Sequence, residues 1–340
     1  WQAKGRIKMS IKSKIKSECP LLYQLYKILT DIKDAQKIKS AENKFYSLAD
    51  WQIRQLDSEL YFKAQGKVLD WNHLLTYTEK MQWAKLYDKD PRKVILSDKY
   101  AVRAWVSETI GEEYLIPLIG VWDKYEDINF KVLPEQFVMK TNHGSNDVVI
   151  VRSKSKLSLA QKIEMRRKIT NSLKRDYGSI YCELHYGKIP AKIIAEKFLD
   201  SGETDLQDYK FLCFSGKPYF CWVDIGRYTK HKRNVYDLNW NLQDWNQFTY
   251  GNTEYEIEKP KNFDQMIGLA EKLSRGFSHV RVDLYNIDGK IYFGEMTFTN
   301  GSGFEKIIPP SADLMLGNLW DIDTKSNSED STKKLERDTK

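Results

Sequence analysis

Residues 279–300, HVRVDLYNIDGKIYFGEMTFTN, decide how the rest of the chain is read. They spell strand, turn, strand, with Asp288-Gly289 as the turn signal between two β-branched and aromatic arms. Side chains alternate along a strand, so Arg281, Asp283 and Tyr285 share one face and Val280, Val282 and Leu284 the other. On the return arm Phe293, Glu295 and Thr297 share a face. Loop length then sets the register. A two-residue loop, Asp288 and Gly289, puts Val282 opposite Glu295 and sends the two acids to opposite sides. A three-residue loop, 287–289, pairs Asn286 with Lys290, Asp283 with Phe293 and Arg281 with Glu295. Asp283 and Glu295 then become diagonal neighbours about 7 Å apart. The three-residue loop is the expectation, because it buries Val282 and Leu284 and gathers Arg281, Asp283, Glu295 and Thr297 into one polar cluster.

Two carboxylates that close repel unless something neutralises them. Magnesium bridging to ATP phosphates would do so, since it is commonly held by one or two protein carboxylates plus phosphate oxygens. Arg281 suits a phosphate oxygen in the same site. A structural ion pair between Arg281 and Glu295, with Asp283 solvated, reads the hairpin equally well.

Outward from the hairpin, short β-rich runs recur at 137–140, 148–152, 192–199, 209–214 and 218–224. Helical patterns at 158–177 and 263–275 interrupt them. Strands and helices in blocks, with hairpins, predict an α+β class, not a doubly wound parallel sheet. Residues 1–90 read mostly helical, with Trp51, Trp71 and Trp83 as packing anchors. Ser97 or Asp98 is placed to cap a following helix.

The 340 residues are 41% hydrophobic and 30% charged, enough for a sizeable core within one multi-lobed domain or two smaller ones. No run approaches the roughly 18–20 apolar residues that cross a bilayer, and no apolar segment follows the basic N-terminus as in a secretory signal. Cys19, Cys182, Cys213 and Cys221 form no paired motif, which fits small core residues in a reducing cytoplasm. A formal charge of +7 favours anionic partners without choosing among them. No zinc finger, RNP motif or helix-turn-helix pattern points to nucleic acid. Residues 1–16 carry six basic side chains and no acid, with Ile7, Ile11 and Ile15 on one helical stripe. They read as a peripheral dock on an anionic membrane surface, at its inner face, or on a partner, or as a solvated helix against the core.

The order of motifs resembles the ATP-grasp superfamily over 98–303, with further similarity at 78–99. Asp98-Lys99 at a helix start is similar to the lysine such enzymes place near the ATP phosphates. Phe137-Val138-Met139-Lys140 resembles the strand whose terminal lysine contacts phosphate. Asn142-His143-Gly144-Ser145-Asn146 resembles the flexible loop over the nucleotide. Ile193 to Leu199 is similar to the hinge strand, which implies that Glu196, Lys197, Phe198 and Leu199 hold adenine. Asp208 matches an acidic position that contacts ribose, and Asp283 with Glu295 matches the magnesium pair. Many family members end this motif with Glu-x-Asn. Thr297 stands at that asparagine here, so the third metal ligand is Thr297 or Asn300.

A closer resemblance is to the TupA-like branch, associated with teichuronopeptide and capsule biosynthesis. It is carried by Tyr77-Thr78-Glu79-Lys80-Met81-Gln82-Trp83, Leu96-Ser97-Asp98-Lys99-Tyr100-Ala101-Val102-Arg103, Lys140-Thr141-Asn142-His143-Gly144-Ser145, Asp208-Tyr209-Lys210-Phe211 and Gly294-Glu295-Met296-Thr297. The resemblance implies an ATP-grasp fold, two α+β lobes clasping ATP, preceded by a mostly helical N-terminal region. The expected division is a helical region at 1–90, a linker and small pre-grasp segment at 91–135, one lobe at 136–201, a second with the metal site at 202–320, and a charged, disordered tail at 321–340. The family's usual leading α/β domain is not evident.

The implied reaction joins a carboxylate to an amine through an acyl phosphate, using ATP and Mg²⁺. The implied substrates are a uronic acid of a surface polysaccharide precursor and an amino acid. Arg281, Lys140 and a basic residue of 226–234, represented by Arg227, are the expected catalytic groups. Segment 226–234 also holds Lys230, His231, Lys232 and Arg233 and reads equally well as a solvated basic loop. Tyr228, Tyr236, Trp240, Trp245 and Tyr250 could hold an acidic sugar or pack a core. His143 and His231 read as plain polar residues before acid–base catalysts. The rival readings are a glycosyltransferase, for which Asp321-Ile322-Asp323 supplies the letters of a metal motif, a non-catalytic glycan-binding or scaffold protein, and a kinase that stops at a phosphorylated product.

Overall fold

A computed structural model describes residues 20–145, 147–202, 206–226 and 230–322. The basic segment 1–16, Arg227 and all but the first two residues of the expected tail lie outside that range. The chain divides into two compact units. The first takes the described part of Trp1–Leu48 together with Pro117–Asp176 and Pro190–Phe198; the second takes Ala49–Ile116, Tyr177–Ile189 and the described part of Leu199–Lys340. This corrects the expected boundaries: the helical stretch 1–90 is shared between units, and 177–189 leaves the first lobe for the second.

The first unit is built on four antiparallel strands, β1 (Leu118–Trp122), β2 (Phe137–Thr141), β3 (Val149–Val151) and β4 (Ile193–Lys197), in the order β1-β4-β2-β3. Phe137 and Met139 alternate inward on β2 and meet Met165 and Ile169 of the helix Leu159–Leu173. Ser158 caps that helix by accepting from Gln161 N, and the Gln161 side chain accepts from Ser158 N at 2.9 Å. The long helix Pro20–Tyr46 is tied to it through Lys27–Glu164 at 2.9 Å and Arg167–Asp31 at 2.7 Å.

The second unit holds β5 (Asp208–Phe214), β6 (Lys217–Ile225), β7 (Lys232–Asp237), β8 (Asn246–Gln247), β9 (His279–Ile287), β10 (Lys290–Thr297) and β11 (Ile307–Ile308). Five of them form an antiparallel sheet ordered β10-β9-β5-β6-β7, and β8 pairs with β11. All pairings in both units are antiparallel, as the α+β expectation requires. One face of the large sheet presents Phe211, Val223, Val282 and Leu284 to Phe263, Met266, Ala270 and Leu273, an i, i+3, i+7, i+10 stripe on the helix Phe263–Ser274. The opposite face is split along the strands. At one end Leu212, Phe214, Trp222 and Val235 are covered by Tyr77, Met81, Leu316 and Trp320 from the helices Tyr77–Leu86 and Pro310–Leu319. At the other end it carries charge.

Strand β7 and the helices Arg92–Ser97 and Pro310–Leu319 were not anticipated. Nor does Trp51 anchor packing, since it is 66% exposed. No described helix is long and apolar enough to cross a membrane.

Candidate active site

The hairpin β9–β10 closes on two residues, not three. Lys290 pairs with Ile287 and Phe293 with Leu284, and the loop residues Asp288 and Gly289 have φ of 51° and 87°, the left-handed pair of a type I′ turn. A strict continuation would put Glu295 opposite Val282. A β-bulge at Gly294 inserts one residue instead, so Glu295 pairs with Asp283 and Thr297 with Arg281. Bulge and short loop together turn Arg281, Asp283, Glu295 and Thr297 to one face. The polar cluster is as expected, while the register that produces it is corrected: the acids are direct cross-strand partners.

Neighbouring strands extend the cluster. Lys210 on β5 pairs in register with Asp283, and Asp224 on β6 lies between Asp208 and Arg233. Arg281 is buried and forks onto Asp283 through Nε and Nη2, both at 2.7 Å. It also donates to Glu295 Oε1 at 2.9 Å, Thr297 Oγ1 at 3.1 Å and Asn300 Oδ1. Lys210 Nζ stands 2.7 Å from Asp283, 3.2 Å from Asp208 and 3.9 Å from Asp224. Arg233 clasps Asp224 through Nε and Nη2, the latter at 2.6 Å. Lys99 Nζ lies 3.8 Å from Glu295 Oε2. Among the described residues, the carboxylates of 208, 224, 283 and 295 are thus paired with the cations 99, 210, 233 and 281.

Burial alone would destabilise all these charges. It pulls Lys210 down, yet Asp208 and Asp283 reverse the effect and hold its ammonium above the ordinary lysine range. Arg281 is likewise lowered by burial and raised, on balance, by Asp283 and Glu295. Burial pushes Asp224 up, but the Arg233 bonds overcome it and hold the carboxyl far below the usual range. Lys210, Arg281 and Asp224 therefore keep their charges despite burial.

Residues 177–189 contribute a side that the sequence did not reveal. Glu183, half-buried, accepts from Thr299 Oγ1 and from Ser302 Oγ at 2.9 Å. Those bonds clamp a turn in which Gly301, Ser302 and Gly303 all have left-handed φ, 54°, 55° and 68°. The turn presents Asn300 to Arg281. Tyr186 sits close enough to feel Glu183, Glu295 and Arg281; burial first, then the two acids, push its hydroxyl well above the ordinary tyrosine range. Lys210, Asp224, Glu183 and Tyr186 were all missed. Only the Asp208-Tyr209-Lys210 alternation, which puts both charged residues on one face of a strand, could have flagged one of them.

Of the remaining expected residues, Lys140 and Glu196 meet in the first unit at 2.7 Å, as diagonal neighbours on β2 and β4. Lys197 is exposed, and the Arg152 guanidinium lies 4.9 Å from the Phe198 ring. Leu199 begins the second unit's last segment, so the expected hinge falls on the boundary between units. In the 141–147 loop, His143 and Gly144 are buried and Ser145 is exposed. His143 Nε2 is 3.1 Å from Arg175 O. Asp147 ties the loop by accepting from Thr141 N at 2.7 Å, Thr141 Oγ1, and Ser172 Oγ at 2.8 Å. Arg233 and Lys232 lie on β7 rather than in a solvated loop, and Arg233 is buried. His231 Nε2 lies 3.3 Å from Asp224. Of the aromatics, Tyr236 and Trp245 are core residues, while Tyr250 lies 4.4 Å from the Arg233 guanidinium.

The family model described as TupA-like ATPgrasp matches residues 79–321. The chain belongs to that family. The match spans all of the charged cluster in this TupA-like ATP-grasp chain. No curated protein matches it. Among solved structures it is similar to D-alanine–D-alanine ligase from Bacillus anthracis complexed with ATP, at 19% identity over 66% of this chain and 62% of that one, with a TM-score of 0.37. It is also similar to D-cycloserine synthetase DcsG, at 14% identity over 78% and 93% of the two chains and a TM-score of 0.37. A third is N5-carboxyaminoimidazole ribonucleotide synthetase from Thermus thermophilus, at 10% identity over 66% and 52%, also 0.37. The chain spans 62% and 64% of the two Bacillus anthracis ligase chains it matches.

ATP-grasp membership implies magnesium. Among the described residues no group of three or more His, Cys, Asp and Glu side chains could hold a metal by itself. Asp283 and Glu295, facing each other across one rung, do supply the two hard carboxylates that magnesium takes alongside phosphate oxygens. Thr297 and Asn300 add neutral oxygens bonded to the same guanidinium. The donor chemistry fits.

Proposed function

We propose that this chain is an ATP-dependent carboxylate–amine ligase working through an acyl phosphate. The observation that carries the reading is the direct pairing of Asp283 with Glu295, with Arg281 and Lys210 bonded to them, inside the segment matched to the family. In the reaction a substrate carboxylate oxygen attacks the γ-phosphorus of ATP, and the bond to ADP breaks. The amine then attacks the acyl carbon, loses a proton, and phosphate leaves.

Phosphoryl transfer is limited by charge crowding and positioning more than by covalent chemistry. Asp283 and Glu295, with Thr297 or Asn300, would hold magnesium, which supplies charge neutralisation at the phosphate oxygens. Arg281 and Lys99 would donate to phosphate oxygens. Lys210 holds Asp283 in place from below. Asp208 is assigned to ribose, and Lys140, His143, Gly144, Ser145, Glu196, Lys197, Phe198 and Leu199 to the nucleotide, by family resemblance. A basic residue of 227–233 is assigned to the γ-phosphate or to the anionic acceptor. The substrates we assign are a uronic acid of a surface-polysaccharide precursor and an amino acid, joined in the cytoplasm, with residues 1–16 as a peripheral membrane dock.

The test is to incubate the protein with Mg-ATP, amino acids and uronic-acid acceptors and to measure ADP and phosphate. Both should appear only when acceptor and amine are present together. Consumption of a nucleotide sugar with ATP ignored would replace the ligase with a glycosyltransferase. Asp283→Asn and Glu295→Gln should each abolish ADP release with the circular dichroism spectrum unchanged. Full activity in both would remove the metal assignment.

A further inference from the structure

Arg281 does more in this site than await a phosphate. Its guanidinium is bonded to every oxygen side chain that the metal reading nominates: both oxygens of Asp283, Oε1 of Glu295, Oγ1 of Thr297 and Oδ1 of Asn300. We propose that this guanidinium occupies the cation position between the acids, so that the site refuses a free divalent ion and accepts only a metal–nucleotide complex. The inference rests on the ligase reading and deepens it by naming the form in which the metal enters.

The argument is electrostatic. Arg281 is buried, and a guanidinium cannot shed its proton. A free divalent ion entering between Asp283 and Glu295 would meet that fixed charge and a second one, Lys210, 2.7 Å from Asp283. Removing the guanidinium without a new partner would leave a buried cation uncompensated, which costs several kcal/mol. Lys210 cannot retreat, because Asp208 and Asp224 hold it from the other side. Only an anion can draw Arg281 off, and phosphate oxygens match its fork as well as a carboxylate does. A nucleotide phosphate therefore does two jobs at once. It takes the guanidinium, and it completes the oxygen shell of the metal that replaces it.

Linkage makes this quantitative. If metal and nucleotide are coupled through Arg281, each should tighten the other by the same factor, roughly 5–150-fold. The experiment titrates Mn²⁺, followed by its paramagnetic resonance signal, into the protein with and without ADP. Wild type should bind Mn²⁺ weakly alone and tighter by a factor in that range with saturating ADP. Arg281→Met, similar in length but neutral, removes the charge that stands between the two facing carboxylates, and should bind Mn²⁺ without ADP tighter than wild type does by a similar factor. Arg281→Lys keeps a cation but loses the fork, and should fall between; it also serves if the methionine variant does not fold. Glu295→Gln should abolish the ADP-dependent component and so locates the signal. Equal Mn²⁺ affinity with and without ADP in wild type overturns the inference while leaving a metal site. So does ADP-dependent binding in wild type with no gain in either Arg281 variant. If wild type takes up no Mn²⁺ even with ADP, the metal–nucleotide reading itself falls, and this inference with it.

Discussion

Arg233 shows how much a single residue can be asked to hold. It clasps Asp224, donates to Gln247 Oε1, and lies 4.6 Å and 4.4 Å from the ring centres of Trp222 and Tyr250. Arg233→Met should cost about 3–5 kcal/mol in urea unfolding, because it leaves Asp224 buried without its two short guanidinium bonds. Adding Asp224→Leu should recover most of that loss; a double variant as unstable as the single one would show that the cost is packing rather than charge. Gly144 is a residue-scale case in the first unit. A Cβ there would come within 2.3 Å of Thr141 Oγ1, 2.5 Å of Asp147 Oδ2 and 2.7 Å of Ser172 Oγ, the three groups that tie the loop. Gly144→Ala should therefore destabilise the protein by about 1–3 kcal/mol, read as a lowered denaturation midpoint. The motif around Gly144 was legible in the sequence, but the reason this position excludes a side chain was not, because Ser172 approaches from a distant helix.

The β9–β10 hairpin is the element on which the site depends, and it separates two kinds of glycine. Gly289 has φ of 87° and open space within 4 Å of where a Cβ would stand, so Gly289→Ala should cost only the conformational term, about 1 kcal/mol, with the site intact. Gly294 has an ordinary φ, but a Cβ would lie 3.1 Å from Asp283 O and 3.2 Å from the Tyr285 ring. Gly294→Val should crowd the bulge itself and lower Mn²⁺–ADP affinity along with stability, whereas Gly289→Ala should leave that affinity alone. Equal effects on affinity would mean that the bulge does not set the geometry of the acids. The bulge had a trace in the sequence. Apolar residues occupy odd positions before Gly294 (Ile291, Phe293) and even positions after it (Met296, Phe298), and all four are buried on the same side. A strand cannot change parity that way without an extra residue. Reading the loop as three residues achieved the same gathering of polar side chains by the wrong device.

Stability of the whole molecule should respond to pH through two buried acids of opposite sign. Burial raises Asp57 to about 6, against the pull of Lys85 at 2.5 Å. The folded chain holds that proton more tightly than the unfolded one, so this contribution is full below about pH 4 and is lost as pH rises through 6. Asp224 is depressed, so its contribution is full above about pH 4 and is lost as pH falls further. Urea unfolding between pH 4 and 6 should thus show a component that declines with rising pH, by at most about 1.4 kcal/mol per unit. Asp57→Asn should be less stable overall but lack that component; an unchanged slope would assign it elsewhere. At this scale the limits of the sequence are plain. By itself it determined most of the strands, the helices at 158–177 and 263–275, the α+β class, and that Arg281 shares a face with Asp283 and Glu295 with Thr297, because side-chain periodicity is written in neighbours a few residues apart. Only the tertiary structure decided that β5 lies beside β9 and brings Lys210 onto Asp283, that Asp224 and Arg233 close the far side, and that residues 177–189 clamp the turn carrying Asn300. Those contacts join segments distant along the chain. Their partners are selected by strand order and burial, which no local pattern encodes.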